Sequence, residues 1–192
     1  ITKADGLPYT VYTPFKNKWL EKYKSMAPVL EYDATDVFSN FHKCDFVFPS
    51  LEQIGFEKSP IKVKPHNLKF IANYQDIRDF PALDQTSYLS PHLRFGTVSI
   101  RKLVNWAFHK NDVFLSELIW REFFMQILFS FPKVVTQNFK TAYDGIKWRN
   151  NEADFQRWCS GTTGYPMVDA GMRQLNETGY MHNRVRMVAA SF

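Results

Sequence analysis

Residues 116–131 read SELIWREFFMQILFSF, and this stretch decides the fold class. Its apolar side chains recur at the three- and four-residue spacing that places them on one face of an α-helix. Ser116 can cap the first turn of this helix, and Pro132 stops it. The stretch predicts a helix whose wide apolar face is formed by Leu118, Ile119, Phe123, Ile127, Leu128 and Phe131.

Helical patterns continue on both sides of this stretch, whereas signals for strands or internal repeats are almost absent. Pro166 stands in the first turn of one predicted helix and Gly179 just beyond its end, which is the usual arrangement of these two residue types. The sequence therefore predicts an all-α fold. Further helices are predicted over residues 68–79, 97–110, 152–159 and 166–178, and from Met181 onward.

The first 64 residues differ from the rest because prolines and glycines interrupt them repeatedly. Only Lys16–Lys24 offers a short helical pattern. We expect residues 1–64 to be a connector with little regular structure and residues 65–192 to be part of a helical domain. The last helix is still apolar at Phe192, so we expect a chain that is truncated at both ends.

Charge and composition restrict the classes of function. The chain has 24 Lys and Arg against 19 Asp and Glu, and its formal net charge of +5 suits a polyanionic partner. Cys44 and Cys159 lie far apart, and no cluster has the spacing of metal ligands, so no metal site is expected. No apolar run is long enough for a membrane span, and we expect a cytoplasmic protein. Gly-rich nucleotide motifs and hydrolytic motifs are absent.

Three side chains of the 116–131 helix share one face. Glu117, Trp120 and Arg121 are separated by three and four positions. They could be a surface ion pair beside a core ring. Alternatively, the carboxylate and the guanidinium could bind the polar edge of a base-like ligand while the indole stacks on its face.

Two other segments carry groups that suit phosphates. Asn183 and Met187 lie one helical turn apart with Arg184 and Arg186 alongside, and these arginines are either solvated or phosphate-binding. Residues 86–90 read Thr-Ser-Tyr-Leu-Ser and place hydroxyls and backbone N–H groups close together. This segment either caps the next helix or cradles a phosphate.

Six segments of the chain are distinctive when taken together: Arg78-Asp79-Phe80-Pro81, Thr86-Ser87-Tyr88-Leu89-Ser90-Pro91, Leu93-Arg94-Phe95-Gly96, Glu117-Leu118-Ile119-Trp120-Arg121-Glu122-Phe123, Thr163-Gly164-Tyr165-Pro166-Met167-Val168-Asp169-Ala170 and Met181-His182-Asn183-Arg184-Val185-Arg186-Met187. They resemble the flavin-binding region of the photolyase/cryptochrome family, in family order and with family-like gaps. The resemblance covers roughly residues 7–192. It implies the multi-helical FAD-binding domain of that family.

The resemblance also implies a cofactor site. Phe114 stands where the family often has a tryptophan that contacts the flavin, and Trp148 matches the outermost tryptophan of the chain that reduces the flavin by light. An antenna chromophore would bind a preceding domain that this chain lacks. The residues implied to bind FAD are Tyr74, Thr86, Ser87, Tyr88, Leu89, Ser90, Phe114, Glu117 and Arg121.

The implied substrate is DNA that carries pyrimidine dimers. Glu117 would bind the damaged thymine, Trp120 would stack on it, and Asn183 and Met187 would form the other side of the pocket. The residues implied to contact DNA are Arg78, Glu117, Trp120, Asn183, Arg184 and Arg186, with Arg121 serving either the DNA backbone or the flavin phosphates.

Asn183 and Met187 make the chain most similar to the class I cyclobutane pyrimidine dimer photolyases of the family. The resemblance thus implies light-dependent repair by electron transfer from excited, reduced FAD. The alternatives are a cryptochrome-like blue-light photoreceptor without repair activity and, more remotely, a helical DNA-binding domain. We expect the fragment alone to bind FAD weakly or not at all and to be inactive.

Overall fold

The computed structural model describes residues 1–26 and 35–192, and within these residues it is built from helices and contains no strand. A single isolated bridge pairs Thr2 with Pro8. The all-α prediction is confirmed. The helices are α1 Tyr12–Ser25, α2 Tyr74–Ile77, α3 Leu89–Phe95, α4 Ile100–Phe108, α5 Asp112–Ser130, α6 Glu152–Ser160, α7 Pro166–Thr178 and α8 Asn183–Ser191, with 3-10 turns at Thr35–Asn40, Ile71–Asn73, Pro132–Val135 and Thr141–Tyr143.

Helix α5 is the centre of the first core, and it begins one turn earlier than the sequence predicts. Asn111 caps it, since the Asn111 side chain accepts a hydrogen bond from the backbone N–H of Phe114 at 2.9 Å. The prediction that Ser116 is the cap is wrong. Ser116 lies within the helix, and its backbone carbonyl accepts a hydrogen bond from the Tyr12 hydroxyl at 2.8 Å.

The buried face of α5 lies nearer its amino end than predicted. Leu128, which we expected on the buried face, is 50% exposed. Each large apolar side chain that is fully buried contributes about 1.5–3 kcal/mol, so the first half of α5 carries most of the packing energy. Its buried residues are Phe114, Leu115, Leu118, Ile119 and Phe123.

Helix α1 packs against α5 as part of the same core, which differs from the expectation of a connector with little regular structure. Phe15 and Trp19 are buried there, and the Trp19 indole donates to a carboxylate oxygen of Glu122 at 2.7 Å. The remaining described part of the segment, residues 35–64, has one 3-10 turn and is otherwise without a helix or strand. The domain boundary near residue 64 stays a prediction.

Helices α6, α7 and α8 form a second core. Helix α7 has the predicted bounds, and Gly179 ends it with a φ of 68°. Helix α8 packs closely on α7, since a Cβ added to Gly171 would lie 2.5 Å from Val185 Cγ1. No helix of the described residues has both the length and the apolar character that crossing a membrane requires.

Several contacts connect the two cores at what we call the core–core interface. The backbone N–H of Lys62 donates to the carbonyl of Glu177 at 3.0 Å. The rings of Tyr88 and Tyr180 lie 4.7 Å apart. The candidate functional residues gather around this interface, so the packing of the two cores on each other determines how those residues are arranged. The interface comprises Lys62, Asp79, Thr86 and Tyr88 from the first core side and Glu177, Tyr180 and Arg184 from the second.

Candidate functional site

A chain of alternating charges joins three elements of the fold. Arg78, directly after α2, donates from Nη1 to Oε1 of Glu117 on α5 at 2.6 Å. Arg78 Nε lies 3.5 Å from Oδ1 of Asp79, and Arg184 on α8 donates to that same oxygen from Nε at 2.7 Å. We call these four residues the charged network. It brings together three residues that the sequence placed at the site, and it adds Asp79.

The Glu117 end of the charged network is half-buried. The side chains of Arg78 and Glu117 are 20% and 31% exposed, so this pair is shielded from solvent more than a surface ion pair is. The Arg78 guanidinium also lies 5.4 Å from the centre of the Tyr74 ring. Burial raises the pKa of Tyr74 to about 12, with the negative charge of Glu117 adding to the increase. Tyr74 is therefore neutral at any physiological pH.

Trp120 belongs to an aromatic stack one turn along α5 from Glu117. Its ring lies 3.5 Å from that of Tyr12, nearly parallel at 8°, and 5.4 Å from that of Phe124. The indole is only partly buried. Tyr12 covers one face, and Tyr12 and Phe124 together hold the plane of the ring. Arg121 points elsewhere: its Nη2 donates to the carbonyl of Leu93 at 3.4 Å, at the end of α3.

The start of α8 presents the other predicted residues. His182 caps the helix by accepting from the backbone N–H of Arg184 at 3.2 Å. Arg184 Nη1 contacts the sulfur of Met187 at 3.5 Å, which links Met187 to the charged network. Asn183 and Arg186 are exposed, and Met187 is 57% exposed. This end of α8 thus offers an amide, a thioether and two guanidiniums at the surface.

Residues 86–90 lead into α3 through an unusual backbone conformation. Tyr88 has a φ of 53°, in the left-handed region that residues other than glycine seldom adopt. Its hydroxyl donates to Asp84 and accepts from Lys64 Nζ, and the Thr86 hydroxyl accepts from that of Tyr180 at 3.0 Å.

Thr86 and Tyr88 are therefore engaged in protein contacts, and the hydroxyls of Ser87 and Ser90 have no hydrogen-bond partner in residues 1–26 and 35–192. Two unengaged hydroxyls on either side of a left-handed turn fit a phosphate group. A cavity of about 360 Å³ adjoins this segment. Its volume lies at the lower end of the range of about 300–1,000 Å³ for small-molecule pockets, so it suits part of a dinucleotide. Its lining includes Asp84, Thr86, Tyr88, Gln174, Tyr180 and His182.

Two predicted residues lie apart from this cavity and the charged network. Phe114 is buried in the first core with 4% of its surface exposed, and its ring contacts that of Tyr74 at 5.3 Å. Trp148 is 70% exposed in the segment between α5 and α6. An exposed indole is consistent with an outermost position in an electron-transfer chain, and the role of Trp148 stays a prediction.

Sequence reasoning missed three residues of this region. Asp79 connects two arginines, Tyr12 stacks on Trp120, and Tyr180 binds Thr86. Their partners are about a hundred positions away along the chain, beyond the reach of helical spacing. The only available signal was that Asp79 stands next to Arg78 in the motif Arg78-Asp79-Phe80-Pro81.

The chain is similar to known proteins in both sequence and fold. The family model described as "FAD binding domain of DNA photolyase" matches residues 114–192. A deoxyribodipyrimidine photo-lyase of Halobacterium salinarum is 38% identical over 97% of this chain and 44% of its own length. A crystal structure of a bacterial class III photolyase from Agrobacterium tumefaciens is 30% identical, with a TM-score of 0.69 over 100% of this chain and 45% of that one. A crystal structure of a Synechocystis cryptochrome is 34% identical, with a TM-score of 0.55 over 64% of this chain and 27% of that one.

The chain belongs to the photolyase/cryptochrome family. Helices α6 to α8 and nearly all of α5 lie within the residues that the family model matches. It spans less than half the length of the curated relatives that it matches.

Proposed function

We propose that the full-length protein containing this chain is a deoxyribodipyrimidine photo-lyase, which repairs cyclobutane pyrimidine dimers in DNA with light and reduced FAD. The observation that carries the proposal is the convergence of α5 and α8. Glu117 on α5 is linked to Arg184 on α8 through Arg78 and Asp79 of the charged network, and Arg184 contacts Met187. The names of the curated relatives support the same activity.

Glu117 and Trp120 have the chemistry that a flipped-out pyrimidine dimer requires. A lesion must leave the base stack to reach a buried cofactor, and the cost of flipping is lowest for a damaged base. The Glu117 carboxylate accepts a hydrogen bond from the damaged thymine, and the Trp120 indole provides apolar contact. Asn183 and Met187 contact the opposite side of the lesion.

The arginines around this pocket hold the DNA backbone. Arg78, Arg184 and Arg186 carry positive charge near the two lesion-binding helices, and the net charge of +5 favours a polyanion. Guanidinium groups bind phosphate oxygens through two parallel hydrogen bonds, so they fix the register of the DNA relative to the pocket. Binding of this kind weakens steeply with salt. The full-length protein acts in the compartment that holds the DNA.

The FAD site is formed by residues 86–90 and the neighbouring cavity. The free hydroxyls of Ser87 and Ser90 bind phosphate oxygens, and Thr86 and Tyr88 keep the segment in shape through their protein contacts. Tyr74, Leu89, Glu117 and Arg121 are the other residues proposed to contact FAD, and Phe114 supports Tyr74 from the core. When bound, reduced FAD supplies the electron that opens the cyclobutane ring. Trp148 is the outermost electron donor, and residues 65–192 are the cofactor-binding part of this chain.

A blue-light photoreceptor of the cryptochrome type is the second candidate function. The similarity to a Synechocystis cryptochrome favours it, although that match covers only 64% of the chain. The two functions differ in one observable: a photoreceptor changes the state of its flavin with light and leaves pyrimidine dimers intact.

The test uses the full-length protein with FAD fully reduced and an oligonucleotide that contains one thymine dimer. Under blue light we expect intact thymines to reappear, with no repair in the dark. Glu117→Ala is expected to reduce repair sharply, and Glu57→Ala, which removes an exposed carboxylate outside the charged network, is the matched control. Flavin photochemistry without repair would favour the photoreceptor, and a protein that does not bind flavin would contradict both candidates.

A further inference from the structure

Among the residues that the structure describes, Asp79 is the one acidic side chain that contacts both arginines of the charged network. It is the second residue beyond the end of α2, and its side chain is 50% exposed. Its Oδ1 atom lies 2.7 Å from both Nε and Nη2 of Arg184, and 3.5 Å from Nε of Arg78. A single carboxylate oxygen thus holds two guanidiniums that come from different cores.

The guanidinium groups of Arg78 and Arg184 each keep N–H donors that make no contact within the charged network. Arg78 uses Nη1 for Glu117, and Arg184 uses Nη1 for the sulfur of Met187. A guanidinium carries five N–H donors in a rigid plane, more than these contacts consume. Once Asp79 has fixed the plane of each group, the remaining donors have a fixed direction.

The negative charge of Asp79 opposes the electrostatic attraction between this surface and DNA phosphates. A carboxylate beside a DNA-binding surface repels phosphates and cancels part of the positive charge of the arginines. An acid that improves DNA binding there must act through geometry, since its charge works in the opposite sense.

We infer that Asp79 is a positioning residue of the lesion site, which orients Arg184 and Arg78 for the DNA backbone and, through Arg78, holds Glu117 in place. The inference rests on the proposed function and adds a residue to it. Electrostatics and positioning make opposite predictions for Asp79→Asn. Loss of a negative charge strengthens DNA binding if only charge matters, and loss of the two-arginine contact weakens it if orientation matters.

The experiment measures the affinity of the full-length protein for an oligonucleotide with one thymine dimer and for its undamaged counterpart, at one fixed salt concentration. We expect Asp79→Asn to bind the dimer oligonucleotide about fivefold more weakly, the upper range for one partly exposed ion pair. Binding to undamaged DNA is expected to stay the same or to become tighter. Asp76→Asn makes the same change of charge three residues away and is expected to weaken neither.

A double-variant cycle tests whether Asp79 acts through Arg184. If it does, adding Asp79→Asn to Arg184→Gln causes little further loss, because the orienting contact is already gone. Asp79→Glu retains the carboxylate and is expected to recover part of the affinity. Tighter dimer binding by Asp79→Asn, or losses that simply add in the double variant, would overturn the inference. A wild-type protein that does not distinguish dimer from undamaged DNA would instead contradict the proposed function.

Discussion

Arg78 and Glu117 form a 2.6 Å ion pair between the end of α2 and the middle of α5, 39 positions apart in the sequence. Both side chains are more buried than exposed, so each depends on the other for charge compensation. The carboxylate proposed to bind the lesion is therefore already oriented by a protein partner. A substrate that binds Glu117 meets a group whose position is fixed in advance.

The first prediction concerns Tyr74, which reports on this pair. Its pKa is raised to about 12, mainly by burial, and within that increase the Glu117 charge raises the pKa while Arg78 lowers it. Glu117→Gln removes the negative charge that raises the pKa of Tyr74 and leaves the positive charge of Arg78 beside the ring, so the pKa is expected to fall. Spectrophotometric titration of the phenolate, with Tyr74→Phe to identify the signal, measures the shift. Glu122→Gln on the same helix is the control, and a pKa that stays near 12 in Glu117→Gln would contradict the arrangement.

The second prediction concerns the stacking surface of Trp120. Stacking of a base on an aromatic side chain contributes about 1–3 kcal/mol, so Trp120→Leu is expected to weaken binding of dimer-containing DNA by about tenfold or more. Binding of undamaged duplex should change little, because its bases remain stacked in the helix. Trp148→Phe alters an exposed indole away from the pocket and serves as the control. Equal losses for damaged and undamaged DNA would remove Trp120 from the lesion site.

The third prediction is a loss of stability in acid that depends on Asp169. Its carboxylate accepts hydrogen bonds from the Thr163 hydroxyl at 2.6 Å and from the backbone N–H groups of Thr163 and Gly164 at 2.7 and 3.0 Å. The Thr163 side-chain hydrogen bond is the largest cause of a pKa lowered below the usual value for Asp. A lowered pKa in the folded state stabilises the fold above the unfolded-state pKa of about 3.9, and this stabilisation is lost as the pH falls further.

Denaturant unfolding at a series of pH values checks this third prediction. Asp169→Asn is expected to be less stable than the wild type near neutral pH and to lose less stability between neutral pH and strongly acidic pH. Asp45→Asn makes the same change of charge at an exposed position and is the control. Parallel pH profiles for wild type and Asp169→Asn would show that the hydrogen bonds of Asp169 do not stabilise the fold.

The fourth prediction concerns the close approach of α7 and α8. A Cβ at Gly171 would lie 2.5 Å from Val185 Cγ1, and a β-branched side chain cannot rotate away freely. Overpacking of this kind costs about 1–3 kcal/mol, against a gain of up to about 1 kcal/mol for replacing a helical glycine. Gly171→Ala is therefore expected to destabilise the fold by about 1 kcal/mol. Gly145→Ala, where an added Cβ meets no atom within 4 Å, is the control, and an unchanged unfolding midpoint for Gly171→Ala would contradict the packing.

Local signals in the sequence were enough for the helices whose ends are marked by particular residue types. Helix α7 has the predicted bounds because Pro166 and Gly179 mark its two ends. The sequence predicted that α5 is a helix, but the predicted start was wrong. Both Asn111 and Ser116 are good N-cap residues, and sequence alone does not choose between them. Helix α3 was not predicted, since it is short and begins at the left-handed Tyr88.

Contacts between distant parts of the chain could not be predicted from spacing. Helix α1 shows only two buried residues, Phe15 and Trp19, so its apolar pattern is weak, and its packing depends on α5 about a hundred positions away. The resemblance to a family indicated Glu117, Trp120 and Arg184 individually. It did not indicate Asp79, because the role of Asp79 exists only when α2 and α8 are brought together.

The core–core interface has a consequence for how this molecule responds to its ligands. Two hydrophobic cores are joined there by side chains such as Asp79, Arg184, Thr86 and Tyr180 rather than by a continuous apolar layer. A ligand that touches both sides adds its binding free energy to the cohesion of the cores, by about 2.7 kcal/mol when its concentration is a hundred times its Kd. Saturation with such a ligand therefore raises the unfolding temperature of the protein.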